Sequence, residues 1–334
     1  MANIAKNKET ETLDDPYFMG VKRAPKMFET ATVNEWLRMG EALPPLNTYF
    51  SEFLSEGDVL IMYGEPGSAK SLTCVCWGQH IAEGTSFFPT ENKNPPQTVL
   101  YADGELNVRQ FTTRYRGVKF SPNFYRCEFN PEYEPKDFEK EVIEQIEQEA
   151  INTGAKVVIV DNLTWLLNET EKGTEAGKLM KSLQKMKNRL GITLIVVAHT
   201  PKRSGTEPLG LKDIAGSSRL GNFTTSAVAL GKSIKDEHLR YMKCTKTRNS
   251  AIEYGSDNVI LYQISTNSGM LGLEFVGYDT ERNHLAELPE QKRLEEYEAV
   301  KDMYMRGQTQ RDIAVSLGCS LAKINGIIKK IKKQ

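Results

Sequence analysis

The chain has 334 residues, enough for one large α/β domain and a small appendage, and its 39% hydrophobic and 26% charged residues are those of an ordinary globular protein. A formal net charge of −1 excludes a generally basic protein, so any contact with nucleic acid must come from local basic patches. The five Cys residues are scattered and read as reduced thiols. Cys74 and Cys76, two apart on a predicted helix, point to different faces and make a poor metal pair. No secretion signal is legible, and no apolar run approaches the ~18 residues of a membrane span. The expected location is the cytoplasm, with no membrane partner.

Residues 1–17 are polar and charged, and disorder is expected there. Between Thr32 and Leu43, the positions of Val33, Trp36, Leu37 and Met39 predict a short amphipathic helix before the Pro44-Pro45 break. Such a helix can pack on its own core or on a neighbouring subunit.

The apolar run Val59-Leu60-Ile61-Met62-Tyr63 then ends in Gly64-Glu65-Pro66-Gly67-Ser68-Ala69-Lys70-Ser71. This turn opens a segment read as an amphipathic helix to about Ala82. Strand, Gly-rich turn and helix are the parts of a phosphate-binding P-loop: turn amides and the free N–H groups of the helix converge on an anion. Lys70 reaches the terminal phosphates of ATP, and the Ser71 hydroxyl helps hold Mg2+. The usual pattern has Gly before the Lys, and here it is Ala69. A near-helical torsion would suit Ala; a positive φ would cost about 1–2 kcal/mol.

Strand and helix alternate from there, which predicts an α/β fold with a mostly parallel sheet and helices on both faces. A strand over 98–102 delivers Asp103-Gly104-Glu105, and a helix is predicted over 108–116. A short strand over 124–129 and a long acidic helix over 136–152 follow. Lys156-Val157-Val158-Ile159-Val160-Asp161 does not alternate, as expected of a central strand covered on both faces. A helix over 175–190 closes at Gly191, and a further apolar strand over 192–198 ends at His199. Residues 200–216, rich in Gly, Pro and Lys, read as a mobile loop. The period then changes to two, predicting antiparallel strands over 227–232, 239–246, 259–265 and 271–278.

In open α/β sheets, ligands sit at the carboxyl ends of the strands. Four such ends carry polar groups: the P-loop, Asp103/Glu105, Asp161 and His199. Asp161 is the expected magnesium carboxylate. Asn162 and not Glu follows it, so the water-activating carboxylate must come from elsewhere, and Glu105 is the candidate general base. His199 is a candidate sensor of the γ-phosphate.

The set GEPGSAKS, VLYADGE, VVIVDNL, VVAHTPK and GSSRLGN resembles the RecA-like P-loop ATPase core of the RepA and DnaB group of ring helicases over 44–278. The resemblance implies a Glu base at Glu105, a strand-end sensor at His199 and a K-x-R-N strand, here Lys246-Thr247-Arg248-Asn249. In that group this strand reaches the next subunit's nucleotide. Positions two apart on a strand share a face, so Lys246 and Arg248 are expected to project together as trans-acting cations. A ring oligomer, a hexamer, follows from the resemblance, with single-stranded DNA in its channel. Lys202, Arg203, Lys212 and Arg219 are the expected channel cations.

At the end of the chain, 309–318 reads as a helix and turn, and Ser320 caps a second helix to Ile331. Ile324, Ile327, Ile328 and Ile331 form its buried face. This resembles a helix-turn-helix, with Lys323, Asn325, Lys329 and Lys330 toward duplex DNA. The helix over 290–305 is expected to complete a three-helix unit. The organisation is thus a tail and linker helix (1–45), an ATPase domain (46–285) and a helical DNA-binding unit (290–334). The expected function is an ATP-driven DNA helicase or translocase of the RepA type, serving replication or mobilisation. An ATP-gated DNA-binding regulator or loader is the alternative.

Overall fold

The computed structural model describes residues 28–163, 174–214, 220–266, 271–287 and 289–331. The disorder expected of 1–17, and Arg219, lie outside the described residues. The chain divides into two compact units, 1–46 and 47–334. In the first, α1 (Val33–Glu41) begins at a capping box: Thr32 accepts from the Glu35 N–H, and the Glu35 carboxylate accepts from the Thr32 N–H at 2.7 Å.

The second unit begins with a short antiparallel pair, β1 (Thr48–Phe50) and β2 (Leu54–Ser55). Eight of its remaining elements then alternate: β3 (Val59–Gly64), α2 (Lys70–Glu83), β4 (Val99–Asp103), α3 (Val108–Arg114), β5 (Phe124–Glu128), α4 (Phe138–Thr153), β6 (Val157–Asp161) and α5 (Thr174–Leu190). The strands β7 (Thr193–His199), β8 (Ser226–Lys232), β9 (Leu239–Lys246), β10 (Val259–Ser265) and β11 (Gly272–Asp279) follow. One sheet takes in nine strands, in the order β11-β10-β9-β8-β3-β7-β6-β4-β5. From β8 to β5 all pairings are parallel, and β8 to β11 are joined antiparallel. The expected architecture holds: a mostly parallel α/β sheet flanked by helices, with antiparallel strands at one edge.

Two apolar layers cover the two faces. One is built on α4, α5 and residues such as Ile61, Val158 and Leu194; the other is built on α2 with Leu60, Ile159 and Ile195. Strands β3, β6 and β7 are therefore apolar at successive positions, because each face meets a layer. Helix α2 is not amphipathic as read from sequence. From Leu72 to Ala82 only His80 escapes burial, since the face that carries Trp77 packs against Phe50 and Phe87 as well.

The stretch after β7 is tied down in its described part, against the expectation of a mobile loop. Leu209 and Ile214 are buried, and the Leu209 N–H donates to the buried Glu281 carboxylate at 2.8 Å. Glu281 is also paired with the buried Lys243.

The last helices, α6 (Pro289–Met305), α7 (Gln310–Ser316) and α8 (Leu321–Ile331), have a core of their own: Val300, Ile313, Ala314, Ile324 and Ile328. Thr309 caps α7 by accepting from the Asp312 N–H, and Ser320 caps α8 by accepting from the Lys323 N–H. Among the described residues no helix is long and apolar enough to cross a membrane.

Candidate active site

Parallel register brings the polar strand ends to one edge of the sheet. Gly64 lies beside His199, and Asp103 beside Asp161. The loop after β3 is built by close approach and left-handed torsions. A β-carbon at Gly64 would come within 2.1 Å of the Leu230 carbonyl oxygen. Gly67 has φ +77°, and Ala69, just before α2, has φ 71° and ψ 24°. The near-helical torsion that would have suited Ala69 is therefore not the one it adopts. Its methyl is held in a conformation that costs about 1–2 kcal/mol.

Lys70 is buried and folds back over this loop. Its Nζ donates to the carbonyls of Gly64 at 2.9 Å and Glu65 at 3.0 Å. Burial pulls its pKa below the usual lysine range, while the charges of Asp161 and Glu105 oppose that.

Asp161, at the end of β6, is almost fully buried. That burial pushes its carboxyl up to about 6, against hydrogen bonds from Tyr101 and Ser71. The Tyr101 hydroxyl donates to Oδ2 at 2.7 Å, whereas Oδ1 is buried without a hydrogen-bond partner among the described residues. Ser68 Oγ, His199 Nδ1 and Thr200 Oγ1, all near the same strand ends, are likewise buried without hydrogen-bond partners among the described residues. Ser71 and Asp161 supply hard oxygen donors, so they fit a magnesium ion shared with phosphate oxygens.

Glu105 stands on the turn after β4, and Asp103 shapes that turn. One Asp103 oxygen accepts from the N–H groups of Glu105 at 3.0 Å and Leu106 at 2.9 Å. The other accepts from Arg126 Nε at 2.9 Å, and Arg126 also bonds Glu128 and the Leu106 carbonyl. The Asn162 amide donates to Glu105 and lies 3.1 Å from His199 Nε2; His199 Nε2 is 3.4 Å from Glu105 Oε1. The hydrogen bond from His199 is the main cause holding the Glu105 carboxyl below its ordinary range, against burial. An ionised, oriented carboxylate of this kind can accept a hydrogen bond from water. Glu105, Asn162 and His199 thus form one cluster, and the P-loop, Ser71 and Asp161 adjoin it.

Sequence reasoning missed Tyr101, Asp103 as a turn former, the bridging role of Asn162, and Arg126. A carboxylate two residues before the N–H it caps is a legible turn signal. Nothing local marks the bond of Tyr101 to Asp161, 60 residues away, or that of Arg126 to Asp103, 23 residues away.

Lys246 and Arg248 lie elsewhere. Lys246 pairs with Ala227, which is level with Ile61, and Asn249 bonds the Asp58 carboxylate just before β3. Both cations therefore lie toward the amino-terminal edge of the parallel strands, opposite the P-loop of the same chain. The reading of a shared strand face is corrected, because β9 ends at Lys246 and Arg248 stands in the bend beyond. Lys246 Nζ donates to the Gly221 and Thr224 carbonyls at 2.6 and 2.7 Å, while Arg248 is exposed.

The expected DNA cations divide similarly. Lys202 is exposed, and Lys212 is exposed but 3.1 Å from Glu207. Arg203 is occupied within its own loop by the carbonyls of Glu207 and Pro208, with Asp213 at 3.7 Å. In α8, Lys329 and Lys330 are exposed, whereas Lys323 is paired with Glu296 at 2.7 Å, and Asn325 Oδ1 is buried.

Residues 24–205, more than half of the chain, match the family model of the AAA domain, AAA_25. A solved KaiC-like protein from the hyperthermophilic archaeon Pyrococcus horikoshii OT3 is similar at 14% identity and a TM-score of 0.47, over 70% of this chain and 100% of that one. No curated protein is matched. With a P-loop beside an acidic and histidine cluster at the carboxyl edge of the sheet, the chain belongs to the AAA domain family and is a P-loop ATPase.

Proposed function

We propose that this ATPase is a DNA motor of the RepA helicase type, working in DNA replication or mobilisation as a ring, a hexamer, whose catalytic sites are completed between neighbouring copies. The observation that carries the reading is the position of Arg248: exposed, and on the edge of the sheet opposite its own P-loop. A cation there serves hydrolysis by reaching another copy's nucleotide.

In each site the P-loop amides and Lys70 hold the phosphates, with Ser71 and Asp161 on magnesium. When bound, magnesium neutralises charge on the phosphate oxygens. Glu105, steadied by Asn162 and His199, orients the attacking water. Lys70 must leave the carbonyls of Gly64 and Glu65 to meet the γ-phosphate. Arg248 of the next copy stabilises the charge in transfer. Lys202 and Lys212 grip single-stranded phosphates without reading sequence, and Lys329 and Lys330 face duplex DNA.

The test is strand displacement on a forked duplex with ATP, alongside electron microscopy of particles with ATP and single strands. Unwinding by closed rings is the expected result. ATP hydrolysis without unwinding favours the second reading, an ATP-gated DNA-binding regulator or loader. The independently packed α6–α8 unit, with its basic end, supports that alternative by suiting recruitment to a DNA site.

A further inference from the structure

Lys232 and Arg240 are direct cross-strand partners at the carboxyl end of β8. Like charges so placed destabilise a sheet. The other partners along this pair, from Ala227↔Lys246 to Gly231↔Tyr241, avoid the arrangement. Among the described residues no carboxylate forms an ion pair with either cation.

Arg240 is only 8% exposed, and its guanidinium is taken up by backbone carbonyls. Nη1 donates to Glu237 and Leu239 at 2.6 and 2.9 Å, and Nε donates to Gly67, in the P-loop itself, at 3.0 Å. Strand β8 lies against the same loop, since the Leu230 carbonyl fills the place a side chain at Gly64 would need. Two residues on, Lys232 is exposed, and with Glu65 of the loop it lines a cavity of about 390 Å³. Glu237 also lines that cavity. The charge of Lys232 is felt by Lys70, whose pKa it helps to lower.

We propose that Lys232 contacts the phosphate chain of the nucleotide from within the same subunit, with Arg240 as a positioning residue that fixes the crown of the P-loop through Gly67. The proposal rests on the P-loop being the nucleotide site. A pair of facing cations is relieved by an anion, and a polyphosphate is the anion that the adjoining loop is built to take. The repulsion that Lys232 exerts on Lys70 in the unliganded protein is then relieved on binding. Lys232 thus differs from Arg248, whose proposed role is on a neighbouring copy.

The two effects have opposite signs, and this makes the test specific. Lys232→Gln removes a repulsion on an exposed position, so without nucleotide it is expected to melt at or slightly above the wild-type temperature. Its ATP affinity, measured with a fluorescent ATP analogue, is expected to fall about tenfold, the loss of one charge-assisted contact. Its ATP-induced rise in melting temperature shrinks accordingly. Lys232→Arg restores most of the affinity.

Unchanged ATP affinity in Lys232→Gln overturns the proposal, and so does a lowered melting temperature with unchanged affinity. Lys70→Ala, run alongside, separates the premises. If it loses ATP while Lys232→Gln does not, only the assignment of Lys232 falls. If Lys70→Ala also binds ATP like the wild type, the P-loop is not the site and both fall.

Discussion

Tyr101 reaches from β4 to the next strand and gives its hydroxyl to Asp161 Oδ2 at 2.7 Å, deep in the sheet. The bond leaves the other Asp161 oxygen open to the oxygen-ligand role proposed for it. Burial still makes the ionised form costly, with a folded-state pKa of about 6 against an ordinary 3.8. Between these values the folded protein binds more protons than the unfolded chain. Stability from this residue is present at low pH, falls as pH rises from about 4 to about 6, and stays lost above. Asp161→Asn is therefore expected to abolish magnesium-dependent hydrolysis yet stabilise the nucleotide-free protein at pH 7.5 by about 2–3 kcal/mol. Urea denaturation at pH 4.5 and 7.5 checks it: the difference between variant and wild type should shrink to about 1 kcal/mol at the lower pH.

Ala69 is held at φ 71° beside the phosphate loop. Replacing it with Gly removes about 1–2 kcal/mol of left-handed strain and adds unfolded-chain entropy worth about 0.4–1 kcal/mol. Ala69→Gly should therefore gain about 0.5–1 kcal/mol in denaturant unfolding and retain ATP binding.

Arg248→Ala is expected to bind ATP normally and to lose most turnover, at least a hundredfold. Lys246→Ala is a poorer probe, because it also frees the carbonyls of Gly221 and Thr224. Mixing inactive Arg248→Ala with inactive Glu105→Gln gives a sharper measurement. If sites form between copies, about a quarter of the interfaces in a random mixture hold both native groups, and activity returns. No recovery on mixing would mean that Arg248 does not act in trans.

Ile328 is buried in the separate core of α6–α8. Ile328→Asp places an unpaired charge there and should collapse these helices, at a cost of at least 3 kcal/mol to that unit. ATP hydrolysis without DNA should be nearly unchanged, while gel-shift binding of duplex DNA should fall. Loss of hydrolysis would show that the ATPase depends on the tail.

What could be read from sequence was what local pattern encodes. Strands β3, β6 and β7 betray their central position by apolar runs, and Gly191 marks the end of α5 with φ 63°. The P-loop, Asp161, Glu105 and His199 were legible as strand ends, and parallel register alone brings them together. The errors came where partners are distant. The supposed amphipathicity of α2 failed because aromatic residues from β1 and the loop after α2 cover its outer side. A period of two was expected for β8 and β9, yet only edge strand β11 alternates in burial; β8 and β9 are covered on both faces. Lys323 read as a free cation because its partner, Glu296, leaves no trace near it in the chain, and Arg203 because the backbone carbonyls of its own loop that hold it are not marked by any residue type.

The self-made bonds of Lys70 have a consequence for the working cycle. With its ammonium resting on Gly64 and Glu65, the loop keeps its shape between turnovers. An arriving nucleotide must compete with those two carbonyls, so net affinity is the remainder after the exchange. After hydrolysis the same carbonyls offer the lysine somewhere to return to, which loosens the grip on the spent product and favours its departure.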